Sequence, residues 1–156
     1  MTSEDREIRP LSERLIQQQP VLLPGDVEED ILVLCVSEDV SVAERDLIPT
    51  MKRAGLQVDL VEANLQEPLD LCSKPYQLVL FDITAPNGLG YKVCERTRNA
   101  CNVSVMLVLH GAARHDVLRG YQIGADAYIL APFDDREFLA RLGALLRRRP
   151  ARWRTI

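Results

Sequence analysis

Asp82 closes the apolar run QLVLFD, and the chain then breaks into ITAPNGLG, a turn punctuated by proline and glycine. A carboxylate at the C-terminal edge of a strand can be a nucleophile, a metal ligand or the cap of the following helix, and its neighbours decide which. Two more acids, Glu38 and Asp39, follow the apolar run ILVLCV. His110 ends a third apolar run, VSVMLVLH. Beside Asp82 its imidazole would have a raised pKa and could supply a positive charge. His115 reads as a solvated helix residue.

The elements that must position these residues alternate regularly. ILVLCV, LQVDLVEA, QLVLFD, VSVMLVLH and AYILAP read as five strands, most of them apolar throughout. Between them lie helices over 42–54, bent or shortened by Pro49 and ended by Gly55, weakly over 65–73, over GYKVCERTRNA, and over ARHDVLRGYQIGA to Gly124. A last helix, DDREFLARLGALLRRR, takes Asp134 or Asp135 as its N-cap and gathers Phe138, Leu142, Leu145 and Leu146 on one face. Central strands buried on both faces imply a doubly wound parallel α/β sheet, with ligands and chemistry at the C-terminal strand ends. The expected organisation is an N-terminal appendage over 1–29, one domain over 30–149 and a basic tail over 150–156. The appendage holds a short helix candidate, LSERLIQQQ, and extended chain with an acidic turn, VLLPGDVEED.

Composition narrows the function classes. A chain of 156 residues with 47% apolar content suits one core. It carries neither a membrane-length apolar stretch nor a secretory signal, which points to the cytoplasm and away from membranes. Cys35, Cys72, Cys94 and Cys101 form no C-x-x-C pair and read as small buried hydrophobes. A net charge of −4 offers no general attraction to nucleic acid. Five arginines from Arg147 onward, with Trp153 among them, form a local cluster that reads first as a helix end or linker.

Over about residues 31–148 the sequence resembles the receiver domain of two-component response regulators, in particular those joined to winged-helix DNA-binding domains. The resemblance rests on Asp82, Pro86 and Gly90 in a D-x-x-x-P-x-x-x-G frame, on R-G-x-x-x-G-A-D-x-Y from Arg119 to Tyr128, and on Pro132-Phe133. It implies a flavodoxin-like strand order 2-1-3-4-5, a cis peptide at Ala131-Pro132, and Asp82 at the phosphoacceptor position. Such receivers place an acidic pair after strand 1. Counting back from Gly55 gives Glu38 and Asp39, whereas aligning the apolar strand gives Ser37 and Glu38. With Asp82 the pair is the Mg²⁺ site that the resemblance implies, but octahedral coordination at about 2.1 Å is demanding and the longer Glu38 suits it poorly, so binding is expected to be weak or absent and no other cofactor is implied. These receivers also use a hydroxyl after strand 4 and a lysine before the strand-5 proline. Ungapped spacing from Gly124 puts Leu109 and Ala131 there instead. Tyr128 keeps the aromatic switch position without a threonine partner.

Deleting one preorganised donor from a comparable anion site costs about 2.7–4 kcal/mol. Two such losses imply an atypical receiver that signals by phosphorylation-independent protein contact; the alternative is a phosphorylatable regulator using Asp82 with Glu38 and Asp39. The implied partner is a histidine kinase or an output protein. A homodimer face would carry Asp126, Glu137, Arg141 and Arg148. Where the resemblance implies charged partners for Glu137 and Arg141 the chain has Val117 and Ala127, so two of three pairs are broken and apolar contact must contribute more than charge. The chain ends where an output domain would begin in such regulators. An enzyme is not expected: a haloacid-dehalogenase-type phosphohydrolase wants a second aspartate where Thr84 stands, and the loop SEDVS lacks the glycines of a dinucleotide site.

Overall fold

A computed structural model describes residues 31–147 apart from 72, 86 and 87. The N-terminal appendage, the basic tail with Trp153, and the positions of Cys72, Pro86 and Arg148 therefore lie outside the described residues.

Five strands form one parallel sheet: β1 (Leu32–Ser37), β2 (Gln57–Glu62), β3 (Leu78–Ile83), β4 (Ser104–Leu109) and β5 (Ala127–Leu130), in the order β2-β1-β3-β4-β5. This is the flavodoxin-like doubly wound arrangement. Among the described residues the α-helices are α1 (Val40–Asp46), α2 (Ile48–Arg53), α3 (Leu89–Ala100), α4 (Val117–Ile123) and α5 (Asp135–Arg147). Successive strand residues face opposite sides, so the apolar runs feed two cores. Val33, Cys35, Leu78, Leu80, Met106 and Val108 pack with α1, α2 and α5. Leu34, Val36, Val79, Phe81, Ile83 and Leu107 pack with α3 and the turn after β4. In α5, Phe138, Leu142, Leu145 and Leu146 are all buried against the first core, as their spacing predicts.

This parity fixes the site. Asp82 continues the Leu78, Leu80 series and Ser37 continues Val33, Cys35, and the β1–β3 register sets Ser37 beside Asp82. Both therefore belong to the α1–α5 side, at its C-terminal rim.

Several expected helices differ. The stretch 65–73 is not helical among its described residues. Asn64 accepts from Gln66 N at 2.8 Å and Asp70 from Ser73 N at 3.1 Å, local bonds that compete with a helix, and Pro68 removes a donor. The segment still closes the second core through Leu65, Leu69 and Leu71. The helix over 42–54 is two helices that meet at Leu47, with Pro49 in the first turn of α2, where a missing N–H costs nothing. The helix expected from Ala113 begins as a 3₁₀ turn, Gly111–His115, and becomes α-helical only in α4. His115 belongs to that turn, and Gly124, at φ +105°, ends α4 in the left-handed conformation. Asp134 is the cap of α5, accepting from Glu137 N at 2.7 Å, whereas Asp135 is already helical and pairs with Arg53. Ala131-Pro132 is cis. Cys35 and Cys94 are buried and Cys101 is half-buried, all free thiols. Among the described residues no helix is long and apolar enough to cross a membrane.

Candidate functional site

The Asp82 side chain is completely buried, with 0% exposure. Its Oδ2 accepts from Ser37 Oγ at 2.8 Å, and its Oδ1 is hydrogen-bonded to His110 Nε2. A buried carboxylate needs donors on its oxygens, and here β1 supplies one while the first residue after β4 supplies the other. Among the described residues, the side chains that engage the two carboxylate oxygens come from β1 and from the residue after β4.

His110 is held in place by its backbone, which donates to Ile83 O at 2.8 Å, and its side chain is 20% exposed. The hydrogen bond to Asp82 raises its pKa above the ordinary imidazole value. Partial burial opposes this, and the charges of Asp82 and Asp46 add to the rise. Burial, and secondarily the Asp82 charge, push the Cys35 thiol far up, so Cys35 is an inert neighbour.

The two other acids are turned to different tasks. Asp39 is the N-cap of α1 and accepts from Ser41 N at 3.1 Å, Ser41 Oγ at 2.6 Å and Val42 N at 3.4 Å. The Ser41 hydroxyl leads the interactions that hold its carboxyl below the usual range. Glu38 reaches across to the loop after β3: Oε1 accepts from Thr84 N at 2.6 Å and Ala85 N at 3.4 Å, and Oε2 accepts from Gly90 N at 3.3 Å. It thereby satisfies the start of α3, whose N-cap residue, Gly88, has no side chain to do so. The close approach requires glycine. A Cβ on Gly88 would lie 2.6 Å from Glu38 Oε2, and one on Gly90 would lie 2.8 Å from Ile83 Cγ1. Glu38, Asp39 and Asp82 thus do not converge, and among the described residues no three His, Cys, Asp or Glu side chains could hold a metal ion.

Leu109 is fully buried in the second core with Ile83 and Tyr91, on the sheet face opposite Asp82. Ala131 follows β5 and, with His110, lines a cleft of about 590 Å³ between α2, the turn after β4 and the loop after β5. Tyr128 packs edge-on against Tyr121, with ring centroids 5.5 Å apart, and lies under the Arg141 guanidinium.

Of the residues expected on a dimer face, Asp126, Glu137 and Arg141 have partners within the chain, and Arg148 lies outside the described residues. Asp126 accepts from Val105 N at 2.8 Å and lies 4.0 Å from Arg98. Glu137 and Arg141 pair with each other at 3.4 Å. On α4, Leu118 and Tyr121 are 68% and 51% exposed.

Comparison with known proteins gives a consistent picture. No family model matches the chain. It is 33% identical over 116 residues to a transcriptional regulatory protein CpxR homolog of Haemophilus influenzae, covering 74% of this chain and 50% of that protein. It is 38% identical over 78 residues to the response regulator ArlR of Staphylococcus epidermidis, covering 50% of this chain and 36% of that protein. Among solved structures, a response regulator receiver protein from Burkholderia phymatum superposes with a TM-score of 0.62 at 25% identity, covering 75% of this chain and 95% of that one. The chain spans about half, or less, of the length of these curated relatives.

Proposed function

The chain belongs to the receiver-domain family of two-component response regulators, and on that premise we propose that it signals by binding a protein partner without phosphorylation of Asp82. The observation that carries this reading is the occupation of both Asp82 carboxylate oxygens by Ser37 and His110 in a fully buried setting. A phosphoryl group added to either oxygen would have to displace the donor on it. Glu38 and Asp39 are engaged by backbone amides and would have to abandon them to bind Mg²⁺. At Ala131 there is no ammonium to hold a phosphorylated product. On this reading residues 30–149 form a cytoplasmic binding module, not an enzyme, and the partner is a histidine kinase or an output protein.

Incubation with acetyl phosphate and Mg²⁺, followed by intact-mass measurement, tests it. No phosphoryl adduct is expected. An adduct that forms in the native protein and disappears in Asp82→Asn would establish the second reading, a phosphorylatable regulator, which draws support from the position of Asp82 at the C-terminal end of the central strand β3.

Self-association belongs to the same proposal. Leu118 and Tyr121 are exposed beside Tyr128, while Glu137 and Arg141 satisfy each other, so a C2 contact through α4, β5 and α5 would be apolar at its centre. Sedimentation of Leu118→Lys against the parent chain decides this. An unchanged distribution would remove the dimer.

A further inference from the structure

The cleft behind His110 has a chemistry that the Asp82 site does not use. Its volume, about 590 Å³, falls within the range of small-molecule pockets. Its charged walls are Arg45, Arg53 and His110 against Asp46 and Asp135. The acceptors there are already engaged. Asp46 Oδ1 and Oδ2 both accept from Arg45, at 2.9 and 3.2 Å. Asp135 Oδ1 takes Thr50 Oγ1 at 3.2 Å and Oδ2 takes Arg53 at 3.1 Å.

The donors are in surplus. Each guanidinium has five N–H groups in a fixed fork, and these bonds run through Nε and one terminal nitrogen of Arg45 and through one terminal nitrogen of Arg53. Exposed pairs of this kind contribute little to stability and exchange partners readily. The remaining wall is apolar, formed by Pro49, Pro132 and Phe133, with Phe133 stacked on Phe138. Ala131 leaves the volume open where a long side chain would fill it. His110 has one nitrogen on Asp82 and is partly exposed where it lines the cleft.

We infer that this cleft binds a small carboxylic acid monoanion with a compact apolar body, its carboxylate taken by Arg45 and Arg53 near His110 and its body lying on Pro132 and Phe133. Each cation of the lining already has a carboxylate, Arg45 with Asp46, Arg53 with Asp135 and His110 with Asp82, so an added carboxylate is held by the guanidinium N–H groups that these pairs leave over. The buried counter-charge of His110, Asp82, lies behind it on β3. An occupant would therefore reach the Asp82–His110 pair through the imidazole, which gives the module a chemical input that needs no phosphoryl transfer. The inference rests on the cleft and holds whether or not Asp82 accepts phosphate.

Benzoate is the probe. It is titrated into the full chain at constant ionic strength while the backbone amides, the arginine Nε–H groups and the His110 ring are followed by NMR. Saturable shifts at Arg45, Arg53 and His110 with a millimolar Kd are expected, weakening by about tenfold or more in the Arg45→Gln/Arg53→Gln variant. The parent affinity should also fall as His110 deprotonates. Ala131→Leu, which fills the cleft without removing a charge, should block binding while the amide spectrum elsewhere stays unchanged. The inference is overturned if benzoate at tens of millimolar gives no saturable shift, or if Ala131→Leu binds as well as the parent. Equal affinity for inorganic phosphate or for benzylammonium would overturn it too, because neither shares both the carboxylate and the apolar body.

Discussion

Replacing His110 by alanine should be the most informative single perturbation, because it leaves a wholly buried carboxylate with one donor, Ser37. Removing one member of a buried pair costs about 3–5 kcal/mol. His110 is 20% exposed, so water can enter its place, and about 3 kcal/mol is expected at and below neutral pH. The cost should depend on pH. The folded-state pKa of His110 is raised above an unfolded value of about 6.5, so its charge contribution is complete below that value and is lost as pH rises through the folded pKa. At alkaline pH a neutral imidazole still donates one hydrogen bond, and the difference between parent and variant should shrink to about 1 kcal/mol. Urea denaturation followed by far-UV circular dichroism, from about pH 6 to about pH 9, measures both quantities, provided the m value is shared. A gap that is small at every pH, or that stays constant or widens as pH rises, would refute the assignment of a charged His110–Asp82 pair.

Other perturbations separate the remaining contacts. Glu38→Ala should cost about 1–2 kcal/mol, the scale of a lost N-cap, and native-state hydrogen exchange should quicken at Thr84, Ala85 and Gly90 before it does in the central strands. Gly90→Ala should cost about 1–3 kcal/mol, since its Cβ would sit 2.8 Å from Ile83 Cγ1; chemical denaturation should show the loss together with shifted resonances in the Glu38 loop. Gly55→Ala, with φ at +89° and nothing within 4 Å, should cost about 1–2 kcal/mol from backbone strain alone and leave that loop unshifted. Iodoacetamide labelling read by peptide mass spectrometry should spare Cys35 and Cys94, both buried and with the Cys94 thiol pushed up to about 12, until urea unfolds the chain.

The sheet was legible because each buried strand is a short apolar run and the helices between them carry caps or breakers at their ends. Where the helices differ from expectation, local polar side chains or a proline decide the matter. Asn64 and Asp70 satisfy backbone amides that a helix over 65–73 would have claimed. The position of Asp82 was readable from its strand end, and that of His110 beside it from the end of the next apolar run. The partnership with Ser37 was recoverable in principle, since counting by twos along β1 and β3 places both on one face of adjacent strands. The clamp formed by Glu38 was harder to foresee, because it spans 46 residues to Thr84 and 52 to Gly90. One signal did exist: a helix that opens at Gly88 has no local cap, so its amides must find an acceptor elsewhere.

These contacts make access to Asp82 a property of the turn after β4. A carboxylate with no exposure is tolerated only when its oxygens have donors. The strand-5 loop cannot provide one from Ala131, and the donor comes instead from His110. That residue's backbone is fixed at both ends, with its N–H on Ile83 O at 2.8 Å and its carbonyl accepting from Ala113 N at 3.0 Å, and it leads directly into Gly111 at φ +52°. A reagent on Asp82 Oδ1 has to displace the imidazole, and His110 borders the cleft lined by Arg45 and Arg53. A substituent on Asp82 and an occupant of the cleft would then compete for the same side-chain space. Each should weaken the other by the same factor, since linkage between binding sites is reciprocal.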